Sequence, residues 1–379
     1  MSFLADGISA VTFKELVMYI VGAVLIWLAI KKDYEPALLL PMGFGAILVN
    51  LPLSGVVNQT MAGIGETAGI IQWLFETLIA ASEAMPILLF IGIGAMIDFG
   101  PLLSQPVMFL FGAAAQFGIF FAISLAVLLG FDLKDAASIG IIGAADGPTS
   151  ILVSQIMRSN YIGAIAVAAY SYMALVPIIQ PFAIKLVTSK QERAIYMKYN
   201  PKNVTKRTRI LFPIIVTIIV GFIAPASVAL VGFLMFGNLI RESGVMNNLL
   251  KAAQDYLANL ITLLLGLTIS YSMRAEAFVR SDTLLILLIG LAAFIFDTIG
   301  GVIFAKILNL FLKEKINPMI GAAGISAFPM SSRVVQKMAA AENRDNIILM
   351  HAVGANVAGQ IASVIAGGLV INLVTQYLK

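Results

Sequence analysis

From residue 15 to residue 376 the chain is a succession of apolar runs of helix-spanning length, separated by short polar joints. Lipid offers no partner for backbone N–H and C=O groups, so such segments must bond internally. The runs fall at about 15–31, 37–52, 84–99, 104–130, 137–157 and 161–188, then 209–223, 225–240, 256–273, 282–312, 319–339 and 346–376. Composition agrees: 60% of residues are hydrophobic and 12% charged, where a soluble chain is roughly half apolar and a quarter charged. The expectation is an all-α polytopic membrane protein. The polar opening MSFLADG leads into a full-length span, so no cleaved signal peptide is expected.

One run defies the helix it needs. In GIIGAADGPTSILVS (140–154), Asp146 stands between Gly143 and the Gly147–Pro148 pair, so backbone groups are freed beside an ionisable side chain. At membrane depth that combination is tolerated mainly where it lines a cavity, and it commonly marks an ion or substrate path. The plainer reading is an Asp-Gly-Pro turn in an apolar loop. Against it, an unpaired buried charge costs several kcal/mol. A bound cation such as Na+ would neutralise Asp146, with Thr149, Ser150 and freed carbonyls as further oxygens. A proton could replace the cation.

A second broken run, INPMIGAAGISAFPMSSR (316–333), has no carboxylate but offers Asn317 and Ser326 as oxygens, with Gly321 and Gly324 allowing close backbone approach. Arg333 at its end could bind a carboxylate bidentately, or act as an ordinary positive-inside anchor. Ser326 also reads as a packing hydroxyl.

The two runs occupy matching places in two halves. PMGFGAILVN resembles VGFLMFGNLI, LLFIGIGAMIDFG resembles LLLGLTISYSM, and the segment through Tyr172 matches the one through Asn356. Weak internal symmetry with a Gly/Pro-broken segment in each half is the signature of inverted-repeat transporters. The expected division is a first repeat at 1–188, a basic loop at 189–209 and an inverted second repeat at 210–379. That loop carries Lys190, Arg193, Lys198, Lys202, Lys206, Arg207 and Arg209, which places it in the cytoplasm. Lys31 and Lys32 join it on that side only if the segment around Asp146 is re-entrant. Arg241, Lys313 and Lys315 then also fall inside, Asp132, Asp135 and the N-terminus outside. Arg274 and Arg280 fall outside too, against the rule.

Other residues have two readings each. Tyr172 is a mid-span phenol, either a hydrogen-bonded core tyrosine or an oxygen ligand and proton donor near Asp146. Asn356 is interhelical glue or a ligand. His351 reads as structural, and Lys14, Trp27 and Trp73 as interface anchors. With no cysteine and one histidine, disulfides, thiolate chemistry, cysteine-ligated clusters and His-rich metal sites are excluded. No nucleotide-binding motif is present, so transport would draw on an ion gradient or a partner. The net charge of +4 reads as topology, with no basic stripe for nucleic acid.

GAADGPTS and the Asn-Pro…Gly…Ser…Arg pattern of 317–333 resemble the β subunits of sodium-pumping, biotin-dependent decarboxylases, the oxaloacetate, methylmalonyl-CoA and glutaconyl-CoA group. The resemblance covers nearly the whole chain. It implies that Asp146, Tyr172, Asn317, Gly321, Ser326 and Arg333 carry function, and all six hold the expected residue type. Thr149 and Asn356 join the candidate Na+ path on physical and symmetry grounds. The implied activity is decarboxylation of carboxybiotin, bound at Arg333, coupled to Na+ export with a proton consumed and relayed by Ser326, Tyr172 or Asp146. The implied partners are an α carboxyltransferase subunit, a biotin carrier protein and a small γ/δ membrane subunit, in a bacterial inner membrane. A homo-oligomer is compatible with this. The chain has no Met-Lys-Met stretch, so biotin would be carried by a partner.

Two rivals are a stand-alone sodium–carboxylate or cation/proton transporter, which shares the broken helices, and a structural anchor, which needs neither break nor buried aspartate.

Overall fold

The computed structural model describes residues 3–33, 35–61, 63–82, 84–198 and 203–377; Lys202 of the basic loop lies outside them. The principal helices are α1 (Phe13–Lys32), α2 (Pro36–Val49), α3 (Ala84–Met96), α4 (Met108–Leu128), α5 (Leu133–Gly140), α6 (Gly147–Ile156) and α7 (Ile162–Val187). They continue as α8 (Lys206–Ile223), α9 (Val228–Ser243), α10 (Asn247–Met273), α11 (Ser281–Phe311), α12 (Met330–Glu342) and α13 (Leu349–Tyr377). Among the described residues, five of these (α1, α4, α10, α11 and α13) are individually long and apolar enough to cross a membrane. The fold is that of an all-α polytopic membrane protein, with one exposed hairpin pairing Asn58–Met61 antiparallel to Gly65–Ala68.

Local chemistry sets the helix ends. α1 starts with a capping box in which the Thr12 amide donates to the Glu15 carboxylate at 2.6 Å and the Thr12 hydroxyl accepts from the Glu15 amide. It ends on Lys31 and Lys32, where cations suit the helix dipole. α7 bends by 72° between Ile162–Met173 and Leu175–Val187. Pro177 accounts for the bend, because it lacks the N–H that would reach the residue 173 carbonyl.

The principal helix pairings recur when the two halves are exchanged. α1 packs on α2 as α8 packs on α9, and α2 meets α10 as α9 meets α3. α4 meets α13 as α11 meets α7. Glycines permit the closest approaches: a Cβ on Gly94 of α3 would strike the Leu234 carbonyl of α9, and one on Gly237 would strike that of Ile91. Lipid supplies no hydrophobic drive between helices, so such close contact is what holds them.

Hydrogen bonds at the two ends fix how the broken segments run. Asp135, at the start of α5, accepts from the Ser159 hydroxyl at 2.6 Å and the Asn160 amide at 3.1 Å, just beyond α6. The chain from 135 to 159 therefore enters and leaves at one end. In the second half, Asn317 donates to the carbonyls of Arg193 (2.7 Å) and Ile195 (3.0 Å), Glu342 pairs with Arg193 at 2.8 Å, and Asn346 donates to Ile195 at 2.7 Å. Both limbs of that segment are tied to the loop after α7, at the other end of α7 from Asn160. The two re-entrant segments thus enter from opposite ends.

Candidate functional site

The tips of the two segments meet inside the protein. The first runs through a tight turn at Ile141–Ala144 to Ala145, whose φ of 52° is left-handed, and then to an extended Asp146. The left-handed position falls on an alanine, a conformation that non-glycine residues adopt at a strain cost. It swings Asp146 into place as the N-cap of α6, whose first turn carries Pro148. Asp146 is buried; Oδ1 accepts from the Thr149 amide at 3.2 Å and Oδ2 accepts from the Ser363 hydroxyl at 2.8 Å.

The second tip crosses this turn. The Ser326 amide and hydroxyl both donate to the Ala144 carbonyl, at 3.2 and 2.5 Å. α13 braces both tips from one face. Asn356 donates to the Ile325 carbonyl at 2.6 Å, Gln360 donates to the Ser326 carbonyl, and Ser363 reaches Asp146.

A cavity of about 360 Å³ opens beside the crossing, lined by Asp146, Ser326, Gln360 and Arg333, with Met173 and Phe328 among its apolar walls. Asp146 lies deep in it, whereas Arg333 is exposed. Among the described residues the Arg333 guanidinium has no ion-pair or hydrogen-bond partner, so it is available to an anion. Met96 on the same wall leads to Asp98, which pairs with Arg209 at 3.5 Å, so the cavity adjoins the basic end.

The remaining expected residues take other places. Thr149 contributes its amide to Asp146. Asn317 clamps the loop at 193–195, remote from the cavity lining. Tyr172 donates to the Leu287 carbonyl and lays its ring on Gly290, tying α7 to α11 outside the cavity. Gly321 packs against Gly301, backbone to backbone. Asn356 stands behind the second tip. His351 is buried near the start of α13, in keeping with a structural role.

Three site residues escaped the sequence reading. Gln360 and Ser363 follow Asn356 at helical spacing, four and seven residues on, and that polar stripe in an apolar helix was a legible signal. Tyr170 is a further phenol at the first tip, its ring packed on Gly147, the residue after Asp146.

A multi-pass helical protein with an acid at one re-entrant tip and an open arginine beside the other has the organisation of a membrane translocation subunit. Sequence comparison makes this particular. The chain belongs to the family described as Na+-transporting oxaloacetate decarboxylase beta subunit, whose profile matches residues 14–374. It is 45% identical over 372 residues to the methylmalonyl-CoA decarboxylase subunit beta of Veillonella parvula, covering 98% of this chain and 96% of that one. It is 45% identical over 369 residues to the glutaconyl-CoA decarboxylase subunit beta of Acidaminococcus fermentans, covering 97% and 96%. The oxaloacetate decarboxylase beta chain of Haemophilus ducreyi is 41% identical over 427 residues, with 98% of each chain covered. The chain is thus a membrane subunit of a sodium-translocating decarboxylase.

Proposed function

We propose that this chain decarboxylates carboxybiotin presented by a carrier subunit and couples the reaction to Na+ export, with one proton consumed. The observation that carries the reading is the shared cavity: a buried carboxylate, Asp146, at its floor and at its open side a cation, Arg333, with no partner among the described residues. The arginine fork would receive the carboxylate of carboxybiotin from the basic end, which we read as cytoplasmic. Breaking the N–C bond leaves CO2 and an anionic ureido nitrogen, which takes up a proton to become N–H. Ser326 is the hydroxyl nearest that route and Asp146 the acid, so these two are the relay groups favoured here. Na+ is the cargo, held at Asp146 with nearby oxygens, and a proton on Asp146 would release it.

Relatives named for three different substrates match this chain almost equally, at 45%, 45% and 41% identity. This favours choice of the acid or acyl-CoA by a separate α carboxyltransferase subunit. The working complex in this reading adds a biotin carrier and a small γ/δ membrane subunit in a bacterial inner membrane. The recurring helix pairings and the opposed re-entrant segments favour halves at 1–188 and 210–379 related as an inverted repeat, rocking to alternate access.

The test is sodium-coupled decarboxylation by the complete complex in sealed vesicles. Asp146→Asn should abolish Na+ uptake into inverted vesicles and sodium-stimulated CO2 release. Arg333→Ala should raise the KM for the carboxylated carrier and leave the sodium dependence of turnover alone. Full coupled activity in Asp146→Asn would sink the proposal.

A further inference from the structure

A second acid lies behind the first re-entrant tip. Asp297, midway along α11, is 0% exposed. Its Oδ1 accepts from the Gly118 amide, where α4 loosens at Ala115–Gln116 and restarts. Oδ2 has no hydrogen-bond partner among the described residues. That free oxygen faces Gly143, in the turn leading to Asp146: a Cβ on Gly143 would stand 2.7 Å from it.

Among the described residues no charge nearby compensates it. α4 and the turns at Ile141–Ala144 and Met319–Ala322 contain no ionisable residue. α5 brings Lys134, which is exposed, and Asp135, which is bonded to Ser159 and Asn160. α7 brings Tyr172, donating to Leu287, and Lys185, which is exposed. On α11 itself, Asp282 accepts from Tyr161 and Lys306 pairs with Glu192.

A carboxylate sealed from water with one oxygen unpaired is unstable as an anion, so a cation must neutralise it. Sodium needs several converging oxygens, whereas a proton needs this one. We propose that Asp297 is a proton-binding site of the transport core, loaded while the first re-entrant tip rests against it. Loss of the proton leaves a bare charge against Gly143 and unseats the tip that carries Asp146; re-protonation reseats it. The step breaks the O–H bond at Oδ2 and passes that proton to water entering beside the tip; on return water gives the proton back and the O–H bond re-forms, with no other bond altered. The inference builds on the reading of Asp146 as the sodium site, since it makes Asp297 the proton partner of that site.

Infrared difference spectroscopy of the whole complex tests the proton directly. The wild-type complex should show a protonated-carboxyl C=O band that persists in saturating Na+. The band should vanish in Asp297→Asn, move in Asp297→Glu and remain in Asp146→Asn. In vesicles, Asp297→Asn should keep its apparent sodium affinity, turn over at least about tenfold more slowly and lose the wild-type pH dependence, with partial recovery in Asp297→Glu. A band unchanged in Asp297→Asn overturns the proposal, as does wild-type turnover with a wild-type pH profile. Disappearance of the Asp297 band on adding Na+ also overturns it, marking a sodium site instead. The sodium reading fails separately, if Asp146→Asn still transports, and the infrared assignment of Asp297 does not depend on that result.

Discussion

Ser363 donates to Asp146 at 2.8 Å, and nothing in GAADGPTS announces it. A motif displays the residue that breaks the pattern; the partners that make the break tolerable come from elsewhere in the chain. Asp146, Ser326 and Arg333 were legible because each is an anomaly in an apolar run, and the structure gathers all three at one cavity. Tyr172 and Asn317 were equally anomalous yet satisfy carbonyls elsewhere, because spacing along the chain does not tell which helix a side chain faces. Ser363→Ala leaves a carboxylate oxygen without its donor, a loss of about 1.5–3 kcal/mol for a bond to a charged group. The expected outcome is a sodium affinity changed by roughly 10- to 150-fold. Sodium titration of decarboxylation by the complex measures it, and an unchanged titration would remove Ser363 from the site.

At the scale of elements, glycine was expected to bring backbone near a ligand, and at Gly321 it brings backbone near backbone. A Cβ on Gly321 would collide with the Gly301 carbonyl, and one on Gly301 with that of Gly321. Gly321→Ala should therefore act through packing, with about 1–3 kcal/mol lost to overpacking, read as a lower Tm of the purified complex at unaltered sodium affinity. A variant with wild-type Tm and weakened sodium binding would restore a direct role for Gly321 in the ion path. Helix boundaries were readable where caps and prolines act locally, as at Thr12 and Pro177. The left-handed turn at Ala145 was not, since alanine gives no sign of it. Contact with the second tip at Ala144 accompanies it, and that contact exists only after folding.

For the whole molecule, the opposed entry of the two segments makes a topological demand. The joint before α5 and the joint after α12 must face opposite sides of the membrane. The chain has no cysteine, so single replacements report without background. Lys134→Cys and Arg344→Cys, both at exposed positions, should react with a membrane-impermeant thiol reagent from opposite sides of sealed vesicles. Labelling of both from one side would refute the opposed arrangement.

The sequence by itself determined the class of fold, the polytopic all-α character and the place of both breaks, because backbone satisfaction in lipid and the Gly/Pro restrictions are local constraints. It also carried the family, through motifs that lie on those breaks. Only the tertiary structure decided which oxygens surround Asp146, that α13 braces both tips, and that Asp297 sits behind the first with one oxygen lacking a partner among the described residues. Those facts depend on helix facing and crossing, which follow from the packing of many side chains at once and leave no periodic mark in any one segment.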